Sequence, residues 1–242
     1  MGYYGLERGY GMGYGFDWTY ILVIIGIVIT MWASASVKNT YKRYAKVAAA
    51  CGLTGAEVAR QILDSKGIYD VKVEHISGDL TDHYNPATKV LNLSDSVYGS
   101  RSIAALGVAA HECGHAMQHD ESYFPLKLRS SIVPFANFGS KVGVPCIFVG
   151  VIFSFLQPLI TLGVILFSFG VIFQLVTLPV EFDASARALE TLKEMGLLTG
   201  DELGGSRAVL KSAALTYVAS AAAAILSLVR LILLFGGGRR RD

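Results

Sequence analysis

Charge is scarce in this chain. Lys, Arg, Asp and Glu supply 17% of its 242 residues, where an average soluble domain carries about 25%. That shortfall argues against a simple cytosolic enzyme. A surplus of either sign is missing too: the formal net charge is +2, far from the basic excess that neutralises a phosphate backbone, so no nucleic-acid partner is expected. Cysteine is limited to Cys51, Cys113 and Cys146. Their odd count and wide spacing exclude a disulfide framework and a cysteine zinc cluster, leaving reduced thiols.

Apolar residues, at 52%, give a mean hydropathy of +0.47, and they fall in blocks. Residues 18–36 (WTYILVIIGIVITMWASAS) hold no charge and approach the ~20 residues that cross a ~30 Å hydrocarbon core. Residues 142–180 are also uncharged, but one helix of that length, at ~1.5 Å per residue, would be nearly twice the bilayer thickness. Gln157-Pro158 supplies a break, because proline lacks an amide hydrogen and disfavours helix in the residue before it. Spans over 139–156 and 159–178 then form a hairpin. Residues 212–235 are alanine-rich and carry Arg230 near their end, where it can snorkel; they read as a transmembrane or re-entrant helix. Ala33-Ser34-Ala35 has the small residues of a signal cleavage site, but acidic and basic residues sit on the wrong sides of the first block for a signal peptide, so it reads as an anchor.

The segments between the blocks have the character of folded protein. Thr54-Gly55-Ala56-Glu57 has capping-box spacing before Val58, Ile62 and Leu63, predicting a helix over 54–66 that Gly67 closes. Residues 71–76 and 89–93 alternate apolar and polar around the turn-rich Asn85-Pro86, predicting two strands of a hairpin or small sheet, with 89–93 a candidate edge for extended substrate. Residues 102–118 and 181–195 read as helices. The division is a flexible Gly/Tyr-rich tail (1–17), an anchor (18–36), a zincin-like domain (37–138), the hairpin (139–178), a further helical segment (179–211), the last apolar helix (212–235) and a basic tail (236–242). The fold class is a mainly α integral membrane protein, with about four transmembrane helices and a small α+β zincin-like domain.

Residues 111–115 read His-Glu-Cys-Gly-His, the H-E-x-x-H pattern on a segment already assigned to helix. Positions i and i+4 share a helix face, so His111 and His115 can bind one Zn²⁺. Glu112 is placed to take a proton from an activated water and return it to a leaving amine, which makes it the catalytic candidate. A chance match, with paired histidines satisfying a core, is weakened by the small apolar run before it and by a total of five histidines. A catalytic zinc takes a third protein ligand. The extended motif is broken, with Gln118 at its glycine position and Glu121 at its third histidine position. His119 is one turn too far along for direct ligation and reads as a hydrogen-bonding partner behind a ligand. The hairpin's two crossings return the chain to the motif side at Leu178-Pro179-Val180-Glu181-Phe182-Asp183, so topology selects Glu181 as third ligand. On spacing alone, Glu181 and Asp183 serve equally as carboxylates favouring a helix N-terminus.

The runs GLTGAEVAR (52–60), LTDHYNP (80–86), SIAALGVAAHECGHAMQH (102–119), LPVEFDASARAL (178–189) and ALTYVASA (214–221) together resemble the YugP-like neutral zinc metallopeptidases of bacterial membranes. More distantly, the chain is similar to HtpX-like and CAAX-prenyl-protease metallopeptidases. The resemblance covers nearly everything from about Tyr41 and implies a gluzincin-like peptidase, with Glu181 matching the family's glutamate ligand. In the HtpX-like relatives an aspartate follows four residues later, where this chain has Ser185. The group behind a histidine ligand is then Asp183 or one still unassigned. Tyr217, in LTYVA, reads as an oxyanion stabiliser or as an interfacial tyrosine. Asp82 and His83 read as cleft-lining or as ordinary turn residues, and Cys113 as packing.

Residues 37–141 and 181–211 hold 16 of the 21 Lys and Arg, so the positive-inside rule places the motif side in the cytoplasm, against the dissent of Arg239-Arg240-Arg241. The leading reading is a multi-pass cell-membrane zinc endopeptidase. It acts on membrane or membrane-associated protein substrates, as in membrane-protein quality control, with membrane lipid as its other partner. Alternatives are a non-catalytic zinc-stapled membrane scaffold and an intramembrane zinc protease, the latter disfavoured by charges close to both ends of the motif helix.

Overall fold

The computed structural model describes residues 17–153 and 156–236; the rest of the Gly/Tyr-rich tail and the terminal arginines lie outside them. Six helices and three strands follow in the order α1 (Tyr20–Tyr44), α2 (Gly55–Ser65), β1 (Lys72–Ile76), β2 (His83–Asn85), β3 (Val90–Ser94), α3 (Ile103–Asp120), α4 (Phe124–Ile152), α5 (Gln157–Glu194) and α6 (Gly200–Phe235). Helices α1, α4, α5 and α6 are long and apolar enough to cross a membrane. The chain is thus mainly α, with four candidate spans and a small α+β part.

The long helices pair as α4 with α5 and α1 with α6, and α5 and α6 join the pairs. Glycine lets the first pair close up: a Cβ on Gly163 would lie 2.6 Å from the Gly143 carbonyl oxygen. Small residues at such crossings are how helices associate in lipid, where apolar side chains gain little by leaving the bilayer. Outward, α1 presents Ile21, Ile24, Ile25, Val28 and Met31, all exposed, and these suit contact with acyl chains. The guanidinium of Arg230, in α6, stands 4.1 Å from the Tyr20 ring centroid and 3.9 Å from Asp17. Those contacts fix α6 antiparallel to α1. The last apolar block is therefore part of one unbroken helix.

Several boundaries differ from the sequence expectation. Helix α4 ends at Ile152 and α5 begins at Gln157, so Gln157-Pro158 is not the break; Pro158 sits in the first turn of α5, where a missing amide hydrogen costs no helical bond. The first hairpin helix starts at Phe124, well before 139. Pro179 does not start a helix. It lies inside α5, which runs without interruption from the apolar block through Glu181 to Glu194, as prolines do in spanning helices when neighbours hold the backbone in place.

On the Tyr44 side of the bundle sits the α+β part. The capping box of α2 forms as read: Thr54 N–H donates to Glu57 Oε2 at 2.8 Å and Glu57 N–H to Thr54 Oγ1 at 3.3 Å. Gly67, at φ +74°, turns the chain at its end. The sheet has the order β1-β3-β2. Its two long strands are not a hairpin: β1 and β3 run parallel, and β2 pairs antiparallel with β3. The Asn85 side chain organises the β2–β3 turn by accepting from Ala87 N–H at 3.0 Å. Strand β3 is consequently central and cannot be the substrate edge; β2 is the edge beside α3. Beneath the sheet, Val58, Ile62 and Leu63 of α2, Leu91 and Leu93 of β3, Leu106 of α3 and Leu192 of α5 form one core. The end of α5 thus belongs to both membrane and domain.

Candidate metal centre

Helix α3 is buried on nearly every side, which its sequence permits because seven of its 18 residues are Ala or Gly. Ser102 caps it, accepting from Ala105 N–H at 3.2 Å. Gly114, inside the histidine motif, faces α5 so closely that a Cβ there would lie 2.5 Å from the Ala184 carbonyl oxygen. That approach brings Glu181 to the histidines. Its Oε2 lies 3.4 Å from His111 Nε2 and 3.6 Å from His115 Nε2, and the three donor atoms fall within 4.8 Å of one another. Ligand atoms at ~2.0–2.2 Å from a tetrahedral zinc are separated by roughly 3.3–3.6 Å.

The fit can be tested on the carboxylate itself. Glu181 is 3% exposed and its Oε1 is 3.2 Å from Arg129 Nη1, whereas Oε2 is buried with no hydrogen-bond partner. A buried carboxylate oxygen left bare costs free energy unless a cation meets it. Two neutral imidazole nitrogens beside it complete a donor set of the kind zinc takes.

The far nitrogen of each ring is also accounted for. His115 Nδ1 lies 3.0 Å from Gln118 Oε1, and Gln118 Nε2 donates to Val180 O and Asp183 Oδ2, both at 2.8 Å. His111 Nδ1 lies 3.1 Å from Ser185 Oγ. An amide oxygen only accepts, so His115 Nδ1 carries the hydrogen and its Nε2 turns a lone pair toward Glu181; the Ser185 hydroxyl can accept in the same way from His111. Burial alone would lower the His115 pKa, but the neighbouring Glu181 and Glu112 carboxylates raise it above the ordinary imidazole value.

Glu112, 8% exposed, lies on the neighbouring face, and its Oε2 accepts from the backbone N–H of Tyr84 in β2 at 2.9 Å. Around it runs a cleft in two connected parts, of about 280 Å³ between β2 and α4 and about 210 Å³ between α1 and α6. Asp82, His111, Glu112, Glu181 and Tyr217 line both parts. His83 and Arg129 line the first.

Asp183 meets His115 only through Gln118, and Arg187 Nε donates to it at 2.6 Å. His119 touches no ligand: its Nδ1 lies 2.8 Å from the Tyr84 hydroxyl. Burial and the charges of Asp70 and Asp120 push that phenol up to about 12. Asp82 accepts from Ser94 N–H and Oγ, and burial raises its pKa; it lines the cleft and braces a strand. Cys113 is fully buried beside Ala59 O, its thiol pushed up by burial, which leaves it packing and no more. Sequence reasoning missed Arg129, Gln118 and Tyr84. Gln118 had a signal, three residues after His115 on one helix face, but Arg129 comes from α4 with no spacing to announce it.

Comparison with known proteins agrees with this geometry. The family described as "putative neutral zinc metallopeptidase" matches residues 19–236. "Putative membrane protease YugP" of Bacillus subtilis (strain 168) is 49% identical over 218 residues, covering 90% of this chain and 96% of that protein. No solved structure matches. With the match running through all four long helices as well as the histidine motif, the chain belongs to the family described as "putative neutral zinc metallopeptidase".

Proposed function

We propose that the chain is a membrane-integral zinc endopeptidase of the cell membrane, acting at the cytoplasmic face on membrane or membrane-associated proteins, as in membrane-protein quality control. The observation that carries this reading is the bare, buried Glu181 Oε2 beside two imidazole Nε2 atoms, with Glu112 opening on the same cleft. His111, His115 and Glu181 hold the metal. Bound zinc supplies Lewis acidity, polarising a scissile carbonyl and acidifying water.

Glu112 then takes a proton from the attacking water and delivers it to the leaving amine. Tyr84 N–H holds Glu112 Oε2, leaving Oε1 to move the proton. Tyr217, on the cleft wall with Glu112 and Glu181, supports the developing oxyanion with its hydroxyl. Gln118 and Ser185 orient the imidazoles, and Asp183 steadies Gln118. The cleft lies where α5 and α6 leave their uncharged stretches, which suits substrates close to the bilayer surface. Helix α3 is not among the four candidate spans, so this reading differs from an intramembrane protease.

The Tyr84–Glu112 bond also gives Glu112 a structural use, and that favours the zinc-stapled scaffold as second reading. Glu112→Gln separates the two, because a glutamine oxygen still accepts from Tyr84. The variant should keep its zinc, measured by elemental analysis, and lose peptide cleavage by about 10²–10⁴-fold. Cleavage at the original rate would defeat the assignment of Glu112 as the base, whereas a zinc-loaded unaltered chain that cleaves no peptide would favour the scaffold.

A further inference from the structure

A second cavity, of about 730 Å³, lies beside the cleft, sharing Ser185, Leu210 and Ala214 with it, between α1 and α5 with α6 as its floor. Its lining changes along its length. At the sheet end stand Ser36, Thr40, Arg207 and Lys211; deeper in the bundle come Trp32, Leu215 and Val218. No acidic side chain lines it. Arg207 and Lys211, one turn apart on α6, are exposed and make no ion pair among the described residues. They immediately precede the stretch 212–229, which carries no charge, so they stand at the bilayer surface with the apolar part of the groove in the hydrocarbon below.

We infer that this groove binds an anionic phospholipid, its acyl chain against Trp32, Leu215 and Val218 and its phosphate between Arg207 and Lys211. Charge complementarity selects this occupant. An apolar helix of another protein would leave both cations unmatched, and a zwitterionic lipid would bring a third cation beside its phosphate, whereas an anionic headgroup brings a phosphate with no cation of its own. Ser36 and Thr40 add hydroxyl donors at the same level. Ser185 lines the inner side of the groove and also contacts His111, so the lipid would sit one side chain from the metal centre. The inference does not depend on peptidase activity.

Trp32 is a built-in reporter, since the chain has two tryptophans and Trp18 precedes α1, whereas Trp32 lies at its middle and lines the groove. In a Trp18→Phe background, the full chain is placed in phosphatidylcholine vesicles doped with brominated phosphatidylglycerol or brominated phosphatidylcholine, and Trp32 quenching is followed. Brominated phosphatidylglycerol should quench at a lower mole fraction, by roughly fivefold per cation. Arg207→Gln with Lys211→Gln should abolish the preference, and Arg207→Lys with Lys211→Arg should keep it. Zinc content of each variant reports folding, because neither residue touches the metal site. The single variants, each losing part of the preference, serve if the double neutral variant does not fold. Equal quenching by both lipids means ordinary bilayer contact and overturns the inference. So does no quenching by either, as when a protein helix fills the groove, or a preference that survives charge removal.

Discussion

Two imidazoles can share one metal only when each turns an unprotonated nitrogen to it, and here the far nitrogen of each ring has a partner behind it. Gln118 carries the greater burden, being fully buried and bonded to His115, Val180 and Asp183 at once. Gln118→Leu should lower zinc affinity about 10–100-fold, measured by competition with a chelating dye, while the chain stays folded. Ser185→Ala should cost less, since one bond to His111 is lost. Proton and metal also compete for His115. Its raised pKa in the metal-free protein means that the folded state holds the proton more tightly than the unfolded one. That stability is fully present below the unfolded value near 6.5 and is lost as pH rises through the folded value. The chelator-treated protein should therefore gain thermal stability from about pH 8 to about pH 6, whereas the zinc-loaded protein should lose it as protons displace the metal. A parallel pH dependence for the two forms would contradict this.

At the scale of elements, the site depends on how near α3 comes to α5. Gly114 sets that distance, since a methyl group there would meet the backbone oxygen of Ala184, which a helix cannot move aside. Gly114→Ala should destabilise the protein by about 1–3 kcal/mol and also weaken zinc binding, read together from denaturation and metal titration. Normal zinc affinity in that variant would show that the approach has slack. Elements with local signals were legible: the Thr54–Glu57 box and the charge-free runs each write their structure into a few adjacent residues. Pro179 misled because a proline reads locally as a helix start, while the packed neighbours of α5 carry the helix through it. Strand order was likewise hidden. Alternation marks β1 and β3 as strands, but it cannot say that β2 returns antiparallel and leaves β3 central.

For the whole molecule, the end of α1 at Tyr20, the end of α4 and the end of α6 lie together at one end of the bundle, and the sheet, α2 and the metal centre lie at the other. Tyr69, on the sheet side, is 75% exposed. If that side is cytoplasmic, Tyr69→Cys should react with a membrane-impermeant thiol reagent in inverted vesicles and stay unlabelled in intact cells, with Trp18→Cys giving the opposite pattern. The reverse result would place the metal centre outside. Sequence alone determined the low charge, the uncharged blocks and the i, i+4 histidines with Glu112 between them, because hydropathy and helix periodicity act over a few neighbouring residues. Tertiary structure decided the rest. It confined Glu181 Oε2 with the two imidazoles, brought Arg129 to the other carboxylate oxygen and left a cationic, apolar groove between α1 and α5. Those placements depend on close helix crossings between segments dozens of residues apart, where what matters is the side chain a glycine lacks and the neighbour that fills its space.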